Sequence, residues 1–363
     1  MIPDENRFES QPEEALPDDV DLPHAWQVEP PDASSEADVA RLKELLCAQQ
    51  EDGRGWSTAS ADDVLVDVGD TGTRMRENVV VRDRAGVIRA WGTVHDRASG
   101  RMMFRHVVDR DLPAADADVC SDVLFAWAEA QAATVGAARG LAVQQIDLEA
   151  FADDERQHKW LENAGFNRVR SWWQMSRQVE APETDLVPSP VSWEKEGVRF
   201  RLVRRAGNGM PDEDDLHAVH DVLEEAFTDH FNSNEETFEE FVFRLREDPG
   251  HRWDHWWLAE LMDGSHPQPV GALVGTELGG DPAGSYVAYI GVRSLARGRG
   301  VAKGMLNTII ADAAGRGRNR VALEVDADSP TGAEGLYVSM GWVTKYVTES
   351  WHKDVPVAEE VQG

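Results

Sequence analysis

One order of elements occurs twice along these 363 residues, and that repeat narrows the possible folds more than any other feature. In the first half "EADVARLKELLCAQQ" (36–50) places Val39, Leu42, Leu45 and Leu46 at helical spacing. Three strand-like runs follow, "ENVVVRD", "GVIRAWGTV" and "RMMFRHVV". Then come an alanine-rich helical stretch over 113–137, a strand "LAVQQIDLEA", a helix "DDERQHKWLENAG" ended by Gly165, and a last strand "SWWQMSRQ". The second half opens with the strand "VRFRLVRR" and the amphipathic helices "DDLHAVHDVLEEAF" and "ETFEEFVFRLRED". The strands "HWWLAEL", "PVGALVGTEL" and "SYVAYIGV" follow, then a helix over 299–316, a strand "RVALEVDA" and a short helix "TGAEGLYVSMGW" stopped by Gly341. "TKYVTESWHKD" supplies the final strand or pair. A repeat with a period of roughly 150–180 residues predicts two copies of one α/β domain.

The expected boundaries are a flexible, acidic, proline-bearing arm over 1–36, a first domain over 37–178, a linker over 179–196 and a second domain over 197–363. With 67 acidic against 36 basic residues, the formal net charge is −31. Such a surface repels nucleic-acid phosphates and anionic lipid, so neither is an expected partner. It serves solubility, or it steers a cationic acceptor such as an amine; composition leaves both readings open. No apolar run reaches the length of a membrane span, and the first residues lack the pattern of a secretory leader. The two cysteines, Cys47 and Cys120, form no metal-binding or CxxC spacing and suit a reducing cytoplasm, the expected location.

Against this acidic background a basic cluster stands out at Arg293, Arg297, Arg299 and Lys303. Within it "RGRGVA" (297–302) joins the strand "SYVAYIGV" to a helix. The first amides of a helix lack internal partners and carry partial positive charge, so they can hold phosphate where side chains are small. Gly298, Gly300 and Ala302 are small, and Arg297 and Arg299 add charge. The segment lacks the Gly-Lys-Ser/Thr ending of a P-loop and the GxGxxG of a dinucleotide fold. On these residues alone it is a pyrophosphate cradle or a basic helix start without a ligand.

The order of strand, R-x-x-G-x-A loop, helix, "LEVDADS" and "LYVSMGW" resembles the GCN5-related N-acetyltransferase (GNAT) superfamily over roughly 197–354. The resemblance implies an α/β fold with a mixed α+β sheet, as two tandem GNAT-like acyl-CoA N-acyltransferase domains. It implies acetyl-CoA as co-substrate, with the loop Arg297, Gly298, Arg299, Gly300, Val301 and Ala302 on the pyrophosphate. The backbone of Ile290, Gly291 and Val292 would hold the pantetheine arm and the acetyl carbonyl. Ser329 stands where many members carry an asparagine that contacts the coenzyme. Tyr337 matches the family tyrosine that protonates the leaving thiolate, or is a core aromatic on an amphipathic helix. Glu277 and Glu324 are candidate bases for the attacking amine, or solvated strand residues. His230, Phe231 and Asn232 would line the acceptor pocket, with Glu225 and Asp229 drawing an amine towards it; surface or core roles are the alternative. The expected activity is N-acetyl transfer to an amine of a small molecule or peptide. The alternative is a non-catalytic acyl-CoA-binding or scaffold protein. The tandem arrangement is also similar to the mycothiol synthases.

Matching "VCSDVL" (119–124) with "VAKGML" (301–306) aligns "ADAD" (115–118) with "RGRG" (297–300). Asp116 and Asp118 then replace the loop glycines, and Leu161 falls opposite Tyr337. The first copy is therefore expected to keep the fold without the coenzyme site. No metal site is expected, because the pairs His217/His220 and His251/His255 have no further ligands nearby.

Overall fold

The computed structural model describes residues 22–69, 76–97, 100–186, 197–207, 209–227, 237–247, 250–262, 266–280, 282–328 and 333–357. The chain divides into two compact units: Met1–Trp172 with Tyr346–Gly363, and Trp173–Lys345.

The first unit holds β1 (Gln27–Glu29), α1 (Glu36–Arg54), α2 (Ala61–Val68), β2 (Arg76–Arg82), β3 (Ile88–Asp96), β4 (Arg101–Val108), α3 (Ala114–Ala138), β5 (Val143–Phe151) and α4 (Glu155–Asn163). β1 to β4 run antiparallel in order, and β4 pairs with β5 in parallel. α3 covers one face of this sheet in a core built on Leu124, Trp127, Ile146 and Leu148. α1 and α2 cover the other with Leu42, Leu45, Val64 and Trp91. The arm read as flexible is in part docked here. Val28 pairs with Val81, Leu22 and Trp26 pack on the core, and the Ser35 side chain caps α1. α2 escaped the sequence reading, although Ser60 and Asp63 form a reciprocal capping box at its start.

The second unit holds β7 (Val198–Leu202), α5 (Glu213–Phe227), α6 (Phe238–Glu247), β8 (His251–Leu261), β9 (Gln268–Leu278), β10 (Gly284–Val292), α7 (Val301–Gly315), β11 (Arg320–Asp326) and α8 (Ala333–Ser339). Its strands β7 to β10 are antiparallel in order, and β10 meets β11 in parallel. α7 packs on one face with Val301, Met305, Ile309, Leu273 and Leu323. α5 and α6 pack on the other, with Val219, Leu223, Phe241, Trp256 and Val274.

Two strands, β6 (Asn167–Gln178) and β12 (Val343–Pro356), depart from the sequence reading. From Trp173 onward β6 belongs to the second unit, beside β11, where Met175 enters the core under α7. From Tyr346 onward β12 belongs to the first unit, pairing antiparallel with β5 from Thr348↔Phe151 to Pro356↔Val143. Its Trp351 and Val355 enter the core under α3. The end of the chain therefore completes the first unit, not the second. Alternating apolar residues announce a strand but carry no information about which edge will receive it. In the stretch read as a linker, Ala181–Leu186 forms a 3₁₀ turn and Val179 N–H bonds to Asn319 O at 2.9 Å.

Candidate active site

β10 and β11 are paired only through Ser285, Tyr286 and Val287. Both strands continue beyond this point, but from Ala288 onward the described pairing of β10 is with β9 alone. Arg293 N–H donates to Val270 O of β9 at 2.8 Å. Backbone direction alternates along a strand, so the N–H and C=O of Ile290 and Val292 turn to the edge that β11 leaves open. The backbone of Gly291 turns to β9 instead. Its missing side chain admits α5, since a Cβ there would lie 2.8 Å from that of Ala226.

The loop after β10 has the geometry of a phosphate cradle. Gly298 and Gly300 take φ of 78° and 74°, the left-handed region in which another residue costs about 1–2 kcal/mol. Gly300 is the N-cap of α7 without a side-chain bond, and the first-turn amides of Val301, Ala302 and Lys303 have no backbone acceptor among the described residues. Val301 is buried against the sheet, where a Cβ on Gly271 would stand 2.8 Å from its Cγ1; α7 thus starts hard against β9 and fixes the loop. Arg297, Arg299 and Lys303 are exposed and form no ion pair among the described residues. Arg293 leaves this cluster: it bonds to Pro269 O and pairs with Glu225 at 3.1 Å.

The remaining candidates fall differently. Tyr337 lies on α8 in the core under α7, its ring edge-on to Trp342 at 6.0 Å. Burial pushes its phenol up to about 12, so it stays protonated at neutral pH. Glu277 pairs with Ser285, at the far end of β10 from the loop, about 24 Å away at the rise of a strand. Its carboxylate is held by Arg318 at 2.6 Å, in a network where Arg318 also meets Ser285 and the buried His255. Glu277 is thus an ion-pair partner, not a free carboxylate. Glu324 follows Leu323, the last residue of β11 paired with β10, and its side chain is exposed. Although the residue is exposed as a whole, burial of the carboxyl among its neighbours raises its pKa, against the opposing hydrogen bond from Gln174. Ser329, Asp229, His230, Phe231 and Asn232 lie outside the described residues. His217 stacks on Phe238 at 3.8 Å and His220 meets Phe241 at 5.2 Å. Among the described residues no group of three or more His, Cys, Asp or Glu could hold a metal.

The first unit repeats the opening and fills it. β4 pairs with β5 only through Phe104 and then continues to Val108. Asp109 N–H bonds to Arg89 O of β3, as Arg293 does to Val270, so His106 and Val108 present their carbonyls to the open edge. Gln49 Nε2 donates to His106 O at 2.9 Å, and Arg156 donates to Val108 O at 3.2 Å. The His106 ring stacks on Phe125 at 4.7 Å and bonds to Ser121 Oγ at 2.9 Å. The alignment of "ADAD" with the loop needs correction, because Ala115–Asp118 already lies inside α3, which begins at Ala114. Without glycine to hold a left-handed turn, alanine and aspartate extend the helix backwards. Asp118 then accepts from Trp160 Nε1 at 2.6 Å and pairs with Lys159 of α4. Gln49, Arg156 and Gln174 escaped the sequence reading; each acts on a partner distant along the chain, and no local pattern marks it.

Residues 216–342, from α5 to just beyond α8, match the family model of the Acetyltransferase (GNAT) family. No curated protein matches the chain. Among solved structures it is similar to a GCN5-related N-acetyltransferase from Sphaerobacter thermophilus, at 24% identity and a TM-score of 0.71 over 94% of this chain and 99% of that one. A tandem GNAT protein from the clavulanic acid biosynthesis pathway aligns at 11% identity and a TM-score of 0.65 over 92% and 100%. Saccharomyces cerevisiae N-myristoyltransferase aligns at 10% identity and a TM-score of 0.53 over 96% and 85%. At such identities the likeness is one of fold.

Proposed function

We propose, because residues 216–342 match the family model of the GNAT acetyltransferases, that the second unit transfers an acetyl group from acetyl-CoA to a primary amine. The family supports acyl-CoA-dependent acyl transfer; acetyl as the group and an amine as its acceptor are our reading. The observation that carries it is the open edge of β10 leading into the loop of Arg297–Gly300. The exposed Arg297, Arg299 and Lys303 and the first amides of α7 meet a pyrophosphate there, while Ile290 and Val292 offer backbone groups along the edge.

In this reading an amide of that edge donates to the thioester oxygen and polarises the carbonyl. Glu324 takes the proton of the attacking amine, since Glu277 is committed to Arg318. Tyr337 donates a hydrogen bond to the departing sulfur. With its phenol near 12, complete transfer to a thiolate is favourable only where burial raises the thiol's own pKa as well. The first unit holds no coenzyme, because Gln49 and Arg156 occupy the carbonyls that face its opening. The acceptor is a small molecule or peptide reached from the α5 side of the sheet.

Calorimetric titration of acetyl-CoA into the full chain tests this reading. We expect one site per chain, with affinity lowered at least 100-fold by Gly300→Glu, which puts a carboxylate where phosphate would sit and strains the left-handed turn. Two sites would overturn the account of the first unit. No binding, or binding indifferent to Gly300→Glu, would remove the cradle and the activity together.

A further inference from the structure

The meeting of β6 with β11 brings a residue from the end of the chain's first half to the second unit's opening. Val179 N–H bonds to Asn319 O at 2.9 Å and Ser176 Oγ donates to Val321 O at 3.4 Å, so the strands run antiparallel with Gln174 level with Glu324. Gln174 Nε2 donates to the Glu324 carboxylate. Met175 on one strand and Leu323 and Val325 on the other point into the core under α7. Side chains alternate across a sheet, so Gln174 and Glu324 share the opposite face, the one that α5 covers on β9 and β10. Glu324 stands where β10 and β11 part, level with the irregularity that the β10–β9 ladder shows between Val287 and Tyr289. From there to Val292, where the loop begins, the open edge runs about 14 Å.

We propose that Gln174 is a positioning residue, which fixes the Glu324 carboxylate beside the point where β10 and β11 part, to accept the proton of the attacking amine. The role rests on the acetyl-transfer reading and extends it to a residue outside the matched domain. The amine nitrogen forms a bond to the acetyl carbon as the carbon–sulfur bond breaks. The nitrogen's proton passes to Glu324, and the thiolate takes its proton from Tyr337 or solvent. An amide that donates to a carboxylate favours its charged form, so Gln174 opposes the upward push of the surroundings on Glu324. It also fixes one of the carboxylate's two oxygens.

The test uses full-length protein and three readouts: ¹³C NMR titration of Glu324, assigned with Glu324→Gln; the acetyl-CoA dissociation constant; and the pH profile of CoA release with benzylamine or water as acceptor. In Gln174→Met, which keeps length and loses the donor, the Glu324 titration moves up by about half to one pH unit. The acid limb of CoA release moves with it, and acetyl-CoA affinity stays within about twofold. Gln174→Asn, whose amide is withdrawn by one methylene, moves both in the same direction and guards against a folding defect in the first variant. Adding Gln174→Met to Glu324→Gln changes nothing further. A titration indifferent to Gln174, or a shifted titration with an unmoved acid limb at normal acetyl-CoA affinity, overturns the role of Gln174 alone. Wild-type protein that binds no acetyl-CoA, or binds it and releases no CoA above the enzyme-free rate, overturns the acetyl-transfer reading and this role with it.

Discussion

His106 is buried at 3% exposure among Phe104, Phe125 and Trp160, and bonds to Ser121. Burial pushes its pKa down from 6.5 to about 3, so the folded chain holds it neutral. The unfolded chain binds that proton more tightly. Stability is therefore complete above about pH 6.5 and declines as the pH falls towards 3. At pH 5 this one ring destabilises the first unit by about 2 kcal/mol. His106→Gln keeps a polar partner for Ser121 without the titration. Urea unfolding at pH 7 and pH 5 should show the variant losing about 2 kcal/mol less than wild type, and equal losses would dismiss the idea. The turn at Gly298 and Gly300 before α7 was legible in the sequence, because glycines ahead of a helical pattern mark it locally. His106 was not legible, because its neutral state depends on α3 and α4 closing over it. Glu277 looked like Glu324 in the sequence, and their partners separate them: Arg318 and Arg252 hold Glu277, and Gln174 bonds to Glu324.

The helices and strands of both units were largely readable from periodicity, including α3 and the start of α7. The edge that each strand joins was not. β6 and β12 both follow a short helix and both alternate apolar with polar residues, so nothing local distinguishes staying in one unit from passing to the other. The exchange has an energetic signature. Trp351 is 4% exposed in the core under α3, and β12 hydrogen-bonds β5 through Pro356. Trp351→Ala should cost about 3–5 kcal/mol, all of it in the first unit. Hydrogen exchange followed by mass spectrometry would show α3 and β5 losing protection while β9 and β10 keep theirs. Loss centred on β9 and β10 instead would contradict the assignment of β12.

One chain thus carries two openings of similar design: side chains bond the facing carbonyls of the first, and exposed cations and helix-start amides without a partner among the described residues stand at the second. Gln49 and Arg156 satisfy in the first unit what a ligand would have to satisfy in the second. The net charge of −31 sharpens the contrast, because most of the surface would repel an anionic ligand while the exposed Arg297, Arg299 and Lys303 would draw one. A ligand that binds only the folded second unit stabilises that unit alone, by about 2.7 kcal/mol at a hundredfold excess over its dissociation constant. Hydrogen exchange with acetyl-CoA at that excess should slow the amides of Ile290, Val292, Val301, Ala302 and Lys303, with α7 following. β4 and the start of α3 should exchange as they do in the free protein. Moderate salt should weaken the effect, since the loop cations are exposed. Equal protection of β4 would mean that Gln49 and Arg156 give way to the coenzyme, and the first opening would then count as a second site.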